Sequence, residues 1–235
     1  MPVRNRGKRP NDDKLFAPKH HSGLRAATDD LCWLLSRGYA ENSALQLVGN
    51  RYRLNKRQQD AVLRVGCSNA QIAERRKNIR TLADLRGQTV EIDGFNLLIL
   101  LESALSGSYI FRGRDGLYRD IASVRGSYKR VVKTEAALHL VGKVLSAAEV
   151  AAVKWYFDSP VSNSGRLKSR LLTISAEAGY NWEVELVFDP DKELVKSKNI
   201  VISSDGIILE SAAKWFNLGA LLIKKHLPEA NVLIL

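Results

Sequence analysis

Cysteine is nearly absent from this chain of 235 residues: Cys32 and Cys67 are its only two, far apart and without histidines at metal-ligand spacing. That excludes a disulfide scaffold and a cysteine-type zinc site, and it fits a reduced, cytoplasmic setting. Histidine is also sparse. His20, His21, His139 and His226 show neither ligand nor triad spacing, which argues against imidazole-based catalysis. There is no GxxxxGK[ST] loop and no GxGxxG turn after a strand, so the familiar phosphate-cradling loops are missing. No apolar run approaches the ~20 residues of a membrane helix, and the basic, polar start lacks a signal-type apolar segment. The expectation is a soluble cytoplasmic protein with no membrane partner.

What the chain has in excess is positive charge, unevenly spread. Lys and Arg number 36 against 25 Asp and Glu, for a net charge of +11. Residues 1–86 hold 18 of the cations and 8 of the acids, whereas residues 87–235 hold 18 and 17. A basic part beside a near-neutral one points to nucleic acid as partner; a solvated basic face is the plainer alternative. Residues 1–22 carry Pro2, Pro10 and Pro18 with no hydrophobic period, and read as a basic, flexible arm. Residues 23–86 read as a small all-α basic domain of four helices. The first, 24–37, rests on the stripe Leu24, Ala27, Leu31, Leu34 and Leu35. A second spans 43–48, a third is capped by Asn55 and runs through Ala61, Val62 and Val65, and a fourth covers 70–78. The turn at Gly49-Asn50 invites a helix-turn-helix in which Lys56, Arg57, Gln58 and Gln59 open a recognition helix, against general phosphate contact or simple packing. Arg51, Arg53, Lys56 and Arg57 are the candidate nucleic-acid contacts in this region.

The helical pattern fades over residues 80–88, and residues 87–235 then alternate strand and helix signals. Strands fit 89–93, 152–158, 182–188, 199–203 and 231–235; helices fit 95–105, 129–145, 165–178 and 207–225, the last broken near Asn217 to Gly219. Such alternation predicts an α/β domain with a mainly parallel, five-stranded sheet covered by helices on both faces. An insert over 106–126, rich in Gly and Arg, is placed to form a hairpin or lid over the strand tips. Its Arg112, Arg114, Arg119 and Arg125 are candidates to guide a phosphate backbone, with an ordinary surface loop as the alternative.

Three aspartates punctuate this domain. VEID ends on Asp93, AVKWYFD on Asp158 and NIVISSD on Asp205, each at the end of an apolar run. Open parallel sheets bind ligands beyond the carboxyl ends of their strands, so the three can converge in one crevice and hold a divalent cation. Each alone is equally a helix N-cap; three repetitions favour a shared site. Asn96 follows Asp93 closely, and Ser203-Ser204 precede Asp205 with hydroxyls able to orient a metal-bound water. Asp158 leads into SNSG and a helix bearing Arg166, Lys168 and Arg170, a natural phosphate seat. Glu102 either contributes or faces solvent, and of Asp189 and Asp191 the second is preferred as a fourth acid.

The order IDGFN, YFDSP with a following SG, and ISSDG resembles the PIN and NYN superfamily of metal-dependent nucleases, over residues 89–235. Residues 1–86 resemble a helical domain that accompanies such modules in prokaryotic, especially archaeal, proteins. The resemblance implies a three-layer α/β/α fold, an acidic pocket for Mg2+ or Mn2+, and cleavage of RNA phosphodiesters. On it, Asp93, Asn96 and Asp205 match the first-strand acid, its polar companion and the late-strand acid, with Asp158 as the middle acid. One departure is the helix after Asp158, where GRLKSRLL is basic instead of acidic. The expected function is therefore a metal-dependent ribonuclease, with Asp93, Asp158, Asp205 and Asn96 in catalysis and Asp93, Asp158, Asp205 and Asp191 on the metal. The alternative is a catalytically inactive nucleic-acid-binding protein of nuclease-like fold, either of them open to oligomerisation. A phosphotransfer enzyme is disfavoured, because Gly94-Phe95 supplies no second acid after Asp93.

Overall fold

The computed structural model describes residues 5–122, 128 and 131–235. Five helices precede the first strand: α1 (Asp12–Leu15), α2 (His21–Ser36), α3 (Glu41–Arg51), α4 (Lys56–Val65) and α5 (Asn69–Lys77). Local chemistry fixes two of the starts. Asn55 accepts from the Gln58 amide at 3.1 Å while the Gln58 side chain accepts from the Asn55 amide at 3.2 Å, and Ser68 and Gln71 repeat the exchange at α5. Each such box satisfies two amides that a helix start leaves bare.

The predicted stripe on α2 is buried through Leu24, Ala27 and Leu31, and meets Ala44 and Val48 of α3 and Ala61, Val62 and Val65 of α4. Phe111, Leu233 and Leu235 complete the same core, so the helical region and the rest of the chain share apolar surface. The expectation of a flexible arm is corrected for residues 5–22. Phe16 is 1% exposed, its ring 4.9 Å from that of Phe111, Arg57 holds Asp12 at 3.0 Å, and Arg6 pairs with Glu102. Proline and charge suggested mobility, but one buried phenylalanine and two ion pairs outweigh them.

Strand β1 (Thr89–Asp93) leads into α6 (Gly94–Leu105). The chain then forms β2 (Tyr109–Arg112) and β3 (Tyr118–Arg119), helix α7 (Thr134–Ala147) and β4 (Ala152–Asp158). It continues through α8 (Ser164–Ala178), β5 (Trp182–Val187), α9 (Pro190–Lys196), β6 (Ile200–Ile202), α10 (Gly206–Ser211), α11 (Leu218–His226) and β7 (Asn231–Ile234). A parallel sheet of four strands has the order β5-β4-β1-β6, with Asp93 beside Tyr156 and Ile92 beside Ile202. Alternating side chains sort its faces. Val90, Ile92, Trp155 and Phe157 pack against α6, α7 and α8, whereas Tyr156 and Val201 pack with Leu194 of α9 and Ile208 and Leu209 of α10.

The fifth predicted strand forms but does not join this sheet. β7 pairs in parallel with β2, and β3 runs antiparallel to β2, giving a second sheet of order β3-β2-β7. The insert is thus a hairpin whose outer partner is the chain's last strand. Helix α6 lies between the sheets: Leu97, Leu98 and Leu101 face the first core, Leu100 and Ala104 face Ile110, Tyr118 and Ala220, and only Asn96 and Leu105 escape full burial. That explains its unbroken apolar run. The predicted long helix 207–225 is two, α10 and α11, separated where buried Trp215 donates from Nε1 to the Arg75 carbonyl at 2.7 Å. Helix α7 begins at Thr134, and the predicted start at Lys129 lies outside the described residues, as does Arg125. Among the described residues, no helix is long and apolar enough to cross a membrane.

From β1 the chain adds β4 and then β5 on one side and returns with β6 on the other. Such a reversal opens a crevice beyond the carboxyl ends of β1 and β6.

Candidate active site: an acidic cavity

Asp93, Asp158, Asp191 and Asp205, together with Asn96, line one cavity of about 490 Å³ at those strand ends. Asp93 ends β1 and caps α6, accepting from the Asn96 amide at 3.4 Å and from the Ser203 hydroxyl at 2.8 Å. Its helix begins against the sheet: a Cβ on Gly94 would come within 2.4 Å of the Phe157 ring, so only glycine fits there. Burial pushes the Asp93 carboxyl up to about 7; the Ser203 hydrogen bond opposes the rise, and the charges of Asp191 and Asp205 add to it.

Asp205 caps α10 through the Ile207 amide at 2.9 Å, and its own amide donates to Ser203 Oγ at 3.0 Å. Asn96 Oδ1 accepts from Ser204 twice, from the amide at 3.1 Å and the hydroxyl at 2.6 Å. The two serines, expected to orient a water, therefore latch the end of β6 onto the start of α6. Asp158 ends β4 without capping the next helix, a place taken by Asn163; burial and the charge of Asp189 raise its proton affinity. Asp191, in the first turn of α9, is raised by burial and then by Asp205, Asp189 and Asp158. Asp189 caps α9 and pairs with Lys192 at 3.0 Å, which leaves Asp191 as the acid of this pair that faces the cavity. The four aspartates thus share the cavity without closing on one point: among the described residues, no three His, Cys, Asp or Glu side chains are close enough to hold a single ion.

The opposite wall was not foreseen. It comes from Asp60 and Arg64 of α4 and from Asp120, just after β3. Asp120 is 5% exposed, accepts from the Ala122 amide at 2.7 Å, and is pushed up by burial against the nearby Arg64 charge. Nothing in a charged helix face or in the tripeptide Arg119-Asp120-Ile121 distinguishes these residues in the sequence. A buried ion network fixes this wall. Arg75 bonds Asp115 at 2.5 Å and Glu210 at 2.6 Å, while Arg119 bonds Asp115 at 2.7 Å and the Ser204 carbonyl at 2.9 Å. Burial alone would raise the Asp115 carboxyl, but the guanidiniums of Arg119 and Arg75 hold it below its usual range.

The predicted phosphate contacts disperse. Arg57 is engaged with Asp12 and with the Ile121 carbonyl at 2.9 Å, so it is a tie between segments and not a free cation. Gln58 serves the capping box and the Leu15 carbonyl, and Gln59 the Leu54 carbonyl, at 2.8 Å each, which removes the recognition-helix arrangement. Lys56 pairs with Asp60 at 2.9 Å, Arg51 reaches Asp30 at 3.4 Å, and Arg53 is exposed on left-handed backbone. In the hairpin, Arg112 is half-buried, Arg114 is exposed and donates to Asn69 at 3.3 Å, and Arg119 belongs to the buried network. Arg166 is exposed and Lys168 half-buried in the first turns of α8. Glu102 is fully buried, held by Arg6, Tyr128 and Thr134 away from the cavity.

The chain is similar over most of its length to a known protein. It is 34% identical over 188 residues to uncharacterized protein MJ0935 of Methanocaldococcus jannaschii, covering 80% of this chain and 89% of that one. No solved structure matches it significantly. Residues 23–78 match the protein of unknown function DUF434, and the next match begins only a few residues later. That second match, to the domain of unknown function DUF5616, runs over residues 82–221 and takes in Asp93, Asp158, Asp191 and Asp205, and the chain belongs to this family.

Proposed function

We propose that this chain is a metal-dependent ribonuclease that hydrolyses RNA phosphodiester bonds at the acidic cavity. One observation carries the reading. Asp93, Asp158, Asp191 and Asp205 come from separate elements of the chain, yet they line the same cavity at the carboxyl end of a parallel sheet. Burial first, and then neighbouring carboxylates, raise the proton affinity of Asp93, Asp158 and Asp191, an arrangement that stability does not require and that a bound cation relieves. All-oxygen donors suit Mg2+ or Mn2+, and Mg2+ keeps several of its waters, so four acids can serve it without closing on one point.

Asp93, Asp158, Asp191 and Asp205 would share a hydrated ion, reaching it in part through its waters. When bound, it lowers the pKa of an attacking water and offsets charge on the phosphoryl oxygens. Asp93, with its carboxyl near neutrality, gives up its proton as positive charge arrives. Asn96 is a positioning residue, holding the Ser204 segment so that Asp205 faces Asp93. The likeness of IDGFN, YFDSP and ISSDG to PIN and NYN nucleases supports the same chemistry, in the reduced cytoplasmic setting that suits the free thiols of Cys32 and Cys67. A second reading, an RNA-binding protein without turnover, is favoured by the spread of these acids, no three of which are close enough for a single ion.

With Mg2+ or Mn2+ the protein is expected to cleave single-stranded RNA. Asp158→Asn or Asp205→Asn should slow it by roughly a hundredfold or more, the scale of losing a preorganised electrostatic group. RNA that is bound but stays intact with every divalent ion assigns the chain to the second reading.

A further inference from the structure

We propose that Arg64 grips a phosphate of the substrate, and that the helical N-terminal region is the second wall of one continuous groove for a single-stranded polyribonucleotide. This rests on reading the acidic cavity as a phosphodiester site. A second cavity, of about 510 Å³, adjoins the first and shares Asp60, Arg64 and Asp205 with it. It continues past Gly206 at the start of α10 and along Gln71 of α5. Two cavities of this size in line exceed what a single small ligand fills and match a polymer lying across both.

The electrostatics single out Arg64. The first cavity is lined by six aspartates, and among the described residues Arg64 is its only Lys or Arg. A polyanion approaching such a wall is repelled unless a cation meets it at the lip. The other arginines nearby are spent on the protein: Arg57 on Asp12, Arg75 on Asp115 and Glu210, Arg119 on Asp115. Arg64 is exposed at the junction of the two cavities, close enough for its charge to act on Asp120.

Its placement is also rigid. Residues 57, 60 and 64 share one face of α4 at helical spacing. That helix is held by its capping box and by the bonds from Arg57 to Asp12 and to the Ile121 carbonyl. A guanidinium presented from a fixed helix can bind phosphate oxygens through two parallel N–H donors, which the ammonium of lysine does not reproduce. Arg64 therefore supplies a positioning contact for a phosphate beside the one offered to the aspartates.

The test uses the full chain and a short fluorescent oligouridylate, with binding followed by anisotropy over a range of salt in Ca2+, so that cleavage does not consume the probe. Arg64→Ala should weaken binding about tenfold, the scale of one charge-assisted hydrogen-bond pair. It should also reduce the slope of log affinity against log salt by about 0.7, one phosphate contact to a single strand. Arg64→Lys should keep the slope and recover only part of the affinity. Arg76→Ala, an exposed cation on α5 that lines neither cavity, should change neither quantity. An unchanged Arg64→Ala protein, equal losses from Arg64→Ala and Arg76→Ala, or a wild type that does not bind the probe overturns the proposal. Arg64-dependent binding without cleavage in Mg2+ or Mn2+ upholds the groove and rejects catalysis. Cleavage with a KM untouched by Arg64→Ala upholds catalysis and rejects the groove.

Discussion

Asp93 sits in an environment far from that of a surface carboxylate. Its carboxyl, lifted to about 7 by burial and by Asp191 and Asp205, binds its proton more tightly folded than unfolded. Stability tied to it is therefore fully present at low pH, declines as pH rises above the unfolded value of 3.8, and is lost above about 7. Asp93→Asn is expected to raise the thermal midpoint at pH values well above neutrality and to leave it nearly unchanged at about pH 4, where the folded Asp93 carboxyl is itself protonated. Midpoints measured by circular dichroism across that range decide it, and an increase of equal size at both ends would contradict the charge argument. Asp93 and Asp205 were legible because each ends an apolar run before glycine, which marks a strand tip whatever surrounds it. Both also turned out to be caps, so capping and site membership coexist at one carboxylate. Arg64 and Asp120 carried no such mark, since a polar residue on a helix or a hairpin says nothing of what it faces.

At the scale of elements, α4 links stability to the groove. Asn55→Ala removes the side-chain half of its capping box, the bond accepted from the Gln58 amide, and should cost about 1 kcal/mol in chemical denaturation, with no change in the denaturant slope. A loss well below that would mean that burial of Ala61, Val62 and Val65 alone fixes the helix. The strands of the first sheet were legible almost to the residue, because buried parallel strands demand continuous Val, Ile and aromatic runs. The break between α10 and α11 was legible too, at Asn217, which caps α11 by accepting from the Ala220 amide at 3.1 Å. The second sheet was not. Period and composition show that 231–235 is extended, but strand pairing is a property of two segments, and β2 and β7 are separated by most of the domain.

For the molecule as a whole, the unequal charge of the two halves suggested a binding module tethered to a catalytic one, whereas the shared core joins them. Deleting residues 1–86 would bare Phe111, Leu233 and Leu235 and strip Arg64 from the cavity. The truncated protein is expected to aggregate or to bind a hydrophobic dye strongly, and the full chain to unfold in one cooperative transition. A soluble, well-folded fragment with unaltered RNA affinity would contradict both the shared core and the groove. The sequence alone determined the existence and type of most elements, though not of α1 and α9, the switch from helical to alternating pattern near residue 80, and the aspartates at the strand tips. These follow from local periodicity and turn chemistry, which neighbouring residues carry among themselves. Only the tertiary structure decided that β7 leaves the first sheet, that Arg57 ties where Arg64 is free to bind, and that Asp60 and Asp120 face the predicted aspartates. Those outcomes depend on which distant surfaces bury one another, a choice made by packing across the whole chain and not written in any single segment.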